Sequence, residues 1–223
     1  MVTASPLRSF ITVGALLCGA ALLIITRPPA EPRSSSADDE NTASCLSNLG
    51  QIARAVALYS RDFDGKIPRG VDPEDHFNSH NWNYADNYGS AFRDDAARSP
   101  FLHQILRPYL APETNANAKP DTVFRCPADN GWIQTRLPGG PENKLRNVAP
   151  SSFVKYGTSY YYSTIYGFEL RCAADIENPS QTLLLFDGDL WHPNGGRPSL
   201  NGLFIDGHAQ NLSAAQFTDF ARE

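Results

Sequence analysis

The side chains best suited to chemistry crowd the C-terminal part of the chain: Asp187, Asp189, His192, Asp206 and His208. They fall at the ends of stretches that read as strands and can therefore converge. Asp187, Asp189 and Asp206 together would suit a hard cation such as calcium through their oxygens. The two imidazoles would favour a transition metal instead. Acids and histidines beside turns also serve the turn itself, by hydrogen bonding to nearby backbone. His76 and His80 share an H-x3-H spacing but sit in a Pro- and Asn-rich stretch with no third ligand close by, and they read as surface residues. Of the four cysteines, Cys18 lies inside an apolar run, and Cys45, Cys126 and Cys172 lie in the body. None forms a CxxC, which argues against a structural zinc site or a thioredoxin-type redox motif. An exported domain could join two of the three body thiols, and three pairings are open.

Nucleophilic catalysis finds little to work with. The chain has no G-x-S-x-G elbow and no cysteine in a setting that lowers a thiol pKa, so no catalytic residue or cofactor is assigned and the chain does not read as an enzyme. Asp62 and Asp64 look like a carboxylate pair, but DFDG more simply ends a helix at Gly65. Tyr160, Tyr161 and Tyr162, with Trp82 and Trp132, offer rings that stack on sugars or peptides, although strand alternation turns at least one tyrosine into the core. Two alternatives follow from these residues. One is an extracytoplasmic module holding a glycan, peptide or calcium; the other is a metal-dependent hydrolase built on Asp187, Asp189 and His192.

The elements that must position these groups read as a helix followed by strands. From Ser44 to about Asp62, Cys45, Leu49, Ile52, Val56 and Tyr59 recur at helical spacing, and Gly65 and Pro68 stop the pattern. A short helix is expected within Pro100–Leu110. Strands are expected at Thr122–Arg125, Ser159–Tyr166, Thr182–Phe186 and Gly202–Ile205. Asp206-Gly207 between LFI and HAQNL predicts a hairpin with a type I′ turn. Ser213 with Gln216 forms a capping-box pattern that opens a final helix through Phe220.

The N-terminal part decides the compartment. Phe10 to Thr26 is an uncharged apolar run that as a helix spans about 26 Å, enough to cross a bilayer barely. A cleaved secretory signal fits less well, because RPPAEP after Thr26 offers no small-x-small site. Residues 1–26 are therefore read as a membrane anchor that contacts lipid through 10–26. Residues 27–43, rich in Pro, Ser and acid, read as a flexible linker, and 44–223 as the extracytoplasmic domain. The net charge of −5 and pI near 5.5 give no reason to expect nucleic acid.

Several segments carry a resemblance. SCLSNLGQI from Ser44, running on through Ala57-Leu58-Tyr59 to Asp62-Phe-Asp-Gly-Lys-Ile-Pro68, resembles type II secretion pseudopilin-like proteins with a prepilin-type N-terminus. Pro108-Tyr109-Leu110, Phe124-Arg-Cys126-Pro127, Asn178-Pro179-Ser180, Asp187-Gly188 and Leu203-Phe-Ile-Asp206-Gly207-His208 agree in order. The last is similar to the end of the H-X9-DG region of part of that group, although residues 193–205 separate His192 from Asp206 here.

The resemblance implies a pilin-like α+β fold in which an N-terminal helix packs on an antiparallel sheet. It also implies a single-pass place in the bacterial inner membrane with the body facing the periplasm or cell exterior, and pilin-like or secretion-system partners. Cys45 and Cys126 both fall in resembling segments, which favours that pair for the disulfide. Ser9 precedes Phe10 where a prepilin shows Gly, and Gly14 stands at the fifth mature position where Glu is expected. Pro28, Pro29 and Pro32 would interrupt a continuous helix. The expectation is a tethered structural or adaptor relative, not a filament subunit.

Overall fold

A helix of 27 residues, α1 (Ser36–Asp62), supplies the longest element of the computed structural model, which describes residues 36–77, 94–110, 120–131 and 148–220. All of these lie in the second of two units of the chain, Glu31–Glu223. The predicted anchor, the linker up to residue 35, His80, Trp82 and Trp132 lie outside the described residues. Among the described residues no helix is long and apolar enough to cross a membrane.

The helix begins at Ser36, not Ser44. The acidic run that reads as tether places Asp38 and Asp39 in the first turn, where the positive end of the helix dipole favours carboxylates. Thr42 then donates its hydroxyl hydrogen to the Asp38 carbonyl at 2.7 Å. At the other end Asp64 (φ 55°) and Gly65 (φ 79°) turn left-handed, and the Gly65 N–H reaches back to the Ser60 carbonyl at 2.7 Å. That bond closes a Schellman-type stop. Cys45, Leu49, Ile52 and Ala55 form the buried stripe, while Val56 and Tyr59 pack against it half-buried; the short helices α2 (Pro73–Phe77) and α3 (Leu102–Leu106) follow.

Four antiparallel strands form one sheet in the order of the chain: β1 (Tyr160–Tyr162), β2 (Leu183–Asp187), β3 (Ser199–Phe204) and β4 (Ala209–Ser213). The architecture is α+β, as expected. Tyr160 pairs with Asp187, Phe186 with Gly202, and Leu200 with Leu212. The stripe of α1 lies on one face, against β3 and β4. On the opposite face Tyr161 stacks on Phe186, and Phe186 and Phe204 meet Phe217 and Phe220 of the last helix, α6 (Ala214–Phe220). Alternating side chains are thus covered on both sides of the sheet.

Four expectations change. Thr122–Arg125 is not a strand; Pro120–Phe124 forms a 3-10 helix that packs on α1. Its β-favouring Thr, Val and Phe describe an apolar run whose periodicity is too short to discriminate. Ser159–Tyr166 keeps only three strand residues before a short helix, α5 (Thr164–Phe168), takes over. Tyr160, Tyr161 and Tyr162 are all buried, so they offer no stacking surface to a ligand. The β3–β4 hairpin is present, but its turn is not type I′. Gly207 N–H bonds the Phe204 carbonyl, Phe204 N–H bonds the His208 carbonyl, and only Gly207 has positive φ (90°). This is a three-residue loop closed by a left-handed glycine, which spares Asp206 the positive φ that type I′ demands. The final helix opens as expected: Ser213 Oγ accepts from Gln216 N–H and Gln216 Oε1 from Ser213 N–H.

Candidate functional site

Four metal-ligand residues meet where α1 crosses the sheet. Cys45 comes from the buried stripe of α1, and Cys126 follows the 3-10 helix. Asp187 is the last residue of β2, and His192 lies in the β2–β3 connection. One donor atom from each lies within 4.8 Å of the others. All four side chains are sealed, at 0%, 1%, 0% and 0% exposure in that order.

Each position has a local cause. The helical period turns Cys45 toward the sheet together with Leu49 and Ile52. Asn48 donates from Nδ2 to the Arg125 carbonyl at 2.9 Å, which ties α1 to the Cys126 segment. The Cys126 N–H donates to Ser159 Oγ at 3.0 Å. Asp187 stands opposite Tyr160, and its Oδ2 accepts the Asn201 N–H of β3 at 2.5 Å. The His192 N–H bonds the Ser199 carbonyl at 3.0 Å, while the Ser199 hydroxyl donates to the His192 carbonyl.

Within the cluster the Cys45 thiol donates to Asp187 Oδ1 at 3.1 Å and lies 3.3 Å from the Tyr160 hydroxyl. Cys126 Sγ is 3.0 Å from His192 Nε2, which is 3.4 Å from Asp187 Oδ2. His192 Nδ1 lies 3.2 Å from Thr42 Oγ1. The Thr42 hydroxyl has one hydrogen and gives it to Asp38, so its oxygen accepts from Nδ1. That assigns the proton to Nδ1 and leaves the Nε2 lone pair facing the two sulfurs and the carboxylate. Burial pushes the Asp187 carboxyl well above its usual range, and the nearby Cys45 sulfur adds to the effect. Burial likewise raises the Cys126 thiol, reinforced by its hydrogen bond with Cys45. The Tyr160 hydroxyl is raised for the same first reason.

The residues predicted from sequence are thereby redistributed. Asp187 joins His192, but Asp189 and Asp206 do not join them. Asp189 is buried and accepts its neighbour Leu190 N–H at 2.7 Å, a turn role. Asp206 lies beyond the far end of β3, where it pairs with His208, because an extended strand separates residues that a folded loop would gather. Cys45 and Cys126 do come together, but Cys45, Cys126 and Cys172 are free thiols in the structure. Cys172 bridges by its backbone to Lys66, apart from this group. His76 packs on Phe77 and Phe101.

Sequence reasoning assigned the cysteines to one site and Asp187 with His192 to another. The missing CxxC misled it, since ligands can be assembled from four separate segments. Thr42, read from the sequence as part of the linker, and Tyr160, read as a ring that could stack on a ligand, instead lie against the histidine and a sulfur. Chemically the group can hold a borderline-soft divalent ion, close a disulfide, or persist as a hydrogen-bonded thiol cluster. Two sulfurs make it a poor calcium site. No family model, curated protein or solved structure matches the chain.

Proposed function

We propose that this chain is a single-pass, pseudopilin-like structural or adaptor protein of the bacterial inner membrane, with its α+β body facing the periplasm or cell exterior. The observation that supports it is α1 laid along one face of an antiparallel sheet, its stripe of Cys45, Leu49, Ile52 and Ala55 buried there. That is the arrangement the resemblance implies for a pseudopilin body. The uncharged run at 10–26 supplies the tether, and the body presents itself to pilin-like or secretion-system partners.

Cell fractionation with protease accessibility tests the reading. The full-length protein should sediment with inner membranes, keep its N-terminal segment, and have its body cut by protease added to spheroplasts. In-cell crosslinking should then link it to other pilin-like or secretion components. Recovery in the cytosolic fraction would overturn the proposal. A mature chain starting at Phe10 with a methylated amine would turn the adaptor into a filament subunit.

A further inference from the structure

We propose that Cys45, Cys126, Asp187 and His192 bind one zinc ion through two sulfurs, a carboxylate oxygen and Nε2, forming a closed structural centre that joins α1 to the sheet. The distances set the scale: 3.1 Å from Cys45 Sγ to Asp187 Oδ1, 3.0 Å from Cys126 Sγ to His192 Nε2, and 3.4 Å from Nε2 to Asp187 Oδ2. Zinc bonds of about 2.3 Å to sulfur and 2.0–2.1 Å to nitrogen or oxygen place tetrahedral donors about 3.3–3.8 Å apart. Three donor pairs thus stand up to about half an ångström closer than tetrahedral zinc would hold them, and all four donors lie within 4.8 Å of one another, so a small opening of the cluster admits the ion.

The arrangement of lone pairs points the same way. With the Nδ1 proton committed to Thr42, the Nε2 lone pair faces Cys126 Sγ at 3.0 Å and Asp187 Oδ2 at 3.4 Å in a fully buried space. A cation there would meet the lone pairs of all four side chains, and buried ionisable groups are ordinarily paired or coordinated to metal. The surrounding bonds are of the kind that orient ligands: Thr42 fixes the imidazole, Asn201 N–H holds Oδ2, and the Tyr160 hydroxyl lies against the Cys45 sulfur. Two thiolates, a carboxylate and a neutral imidazole around a divalent ion leave one negative charge, which these N–H and O–H donors can stabilise. Uptake displaces the two thiol protons, and any on Asp187, into solvent. Two sulfurs with one imidazole select zinc over hard cations, and four protein ligands leave no open position, the pattern of a structural site.

The proposal does not depend on the membrane reading and is tested on the full-length protein from whichever fraction it occupies. Protein is purified from zinc-replete cells without chelator, and metal content is measured by elemental analysis together with mass-spectrometric thiol labelling. One zinc per chain is expected, with Cys45 and Cys126 reduced and protected from alkylation until chelator is added. His192→Ala should lose the ion and His192→Cys should keep it, while Asp189→Asn and Cys172→Ser should retain one equivalent. Should His192→Ala fail to fold, cobalt exchanged into the parent protein provides the second readout, as sulfur-to-cobalt charge transfer with tetrahedral d–d bands. Metal-free protein from zinc-replete cells, whatever the reactivity of its buried thiols, a Cys45–Cys126 disulfide in the native protein, or full zinc content in folded His192→Ala would each overturn the proposal.

Discussion

Asp129 illustrates how much one carboxylate can organise at the scale of a residue. Its Oδ1 accepts from Gly131 N–H at 2.9 Å and Ser152 N–H at 3.1 Å. Its Oδ2 accepts from Phe153 N–H at 2.9 Å and the Ser159 hydroxyl at 2.6 Å. It thereby holds the start of α4 (Ser152–Tyr156) and, through Ser159, the backbone of Cys126. An amide at this position turns one oxygen into a donor facing two donors. Asp129→Asn should lower unfolding stability by about 2–3 kcal/mol in urea titration, since hydrogen bonds to charged groups carry roughly that much. At the hairpin tip, Asp206 Oδ1 accepts the His208 N–H at 3.1 Å and lies 2.6 Å from its Nδ1. Partial burial opposes ionisation there, but the His208 N–H and imidazole hold the carboxyl below its usual range. An acid whose folded pKa is depressed contributes stability that is complete above the unfolded value of ~3.9 and is lost as pH falls through the folded one. Asp206→Ala should therefore melt below the parent at neutral pH, and the two melting curves should converge in acid below pH ~3.9.

Among the elements, α5 is placed by a contact that only glycine permits. A Cβ on Gly167 would lie 2.1 Å from the Pro68 carbonyl oxygen and 2.9 Å from its carbon, so the helix rests directly on the chain that follows α1. The Tyr162 hydroxyl donates to the same carbonyl, at 2.5 Å. Backbone cannot give way as a side-chain end can. Gly167→Ala should destabilise by about 3 kcal/mol or more, at or beyond the upper end of ordinary overpacking. Gly202→Ala, whose close contacts would be the terminal methyls of Leu183 and Leu212, with the Leu185 carbonyl oxygen at an ordinary 3.8 Å, should lose about 1 kcal/mol. Paired thermal melts would check the order, and equal losses would contradict this account. Elements with a long period or a chemical signature were legible beforehand: the stripe of α1, the β3–β4 hairpin and the Ser213–Gln216 cap. The 3-10 helix after Pro120 and α5 were not, because a few apolar residues fit strand and helix alike until packing chooses.

The whole molecule is tied together by contacts far apart in sequence. Cys45 and Asp187 are 142 residues apart, and Thr42 and His192 are 150. An ion held there restrains the helix, the 3-10 segment and the sheet at once, so its loss should be felt globally and not as local fraying. Chelation under reducing conditions should shift the unfolding midpoints of helical circular dichroism and tyrosine fluorescence downward together. Added zinc should restore both. Separate transitions would show that the cluster does not couple α1 to the sheet.

Sequence by itself determined the helix followed by strands, the β3–β4 hairpin, most of the buried stripe of α1, and the interest of Asp187, His192, Cys45 and Cys126. Those features follow from periodicity, turn chemistry and residue type, which act over a few neighbouring positions. The tertiary structure decided that both cysteines, the acid and the histidine share one sealed site, and that Asp189 and Asp206 stand outside it. Nothing in the local spacing of four segments encodes their meeting. That depends on strand register and on how far along the sheet α1 settles, and both are fixed by packing over the whole core.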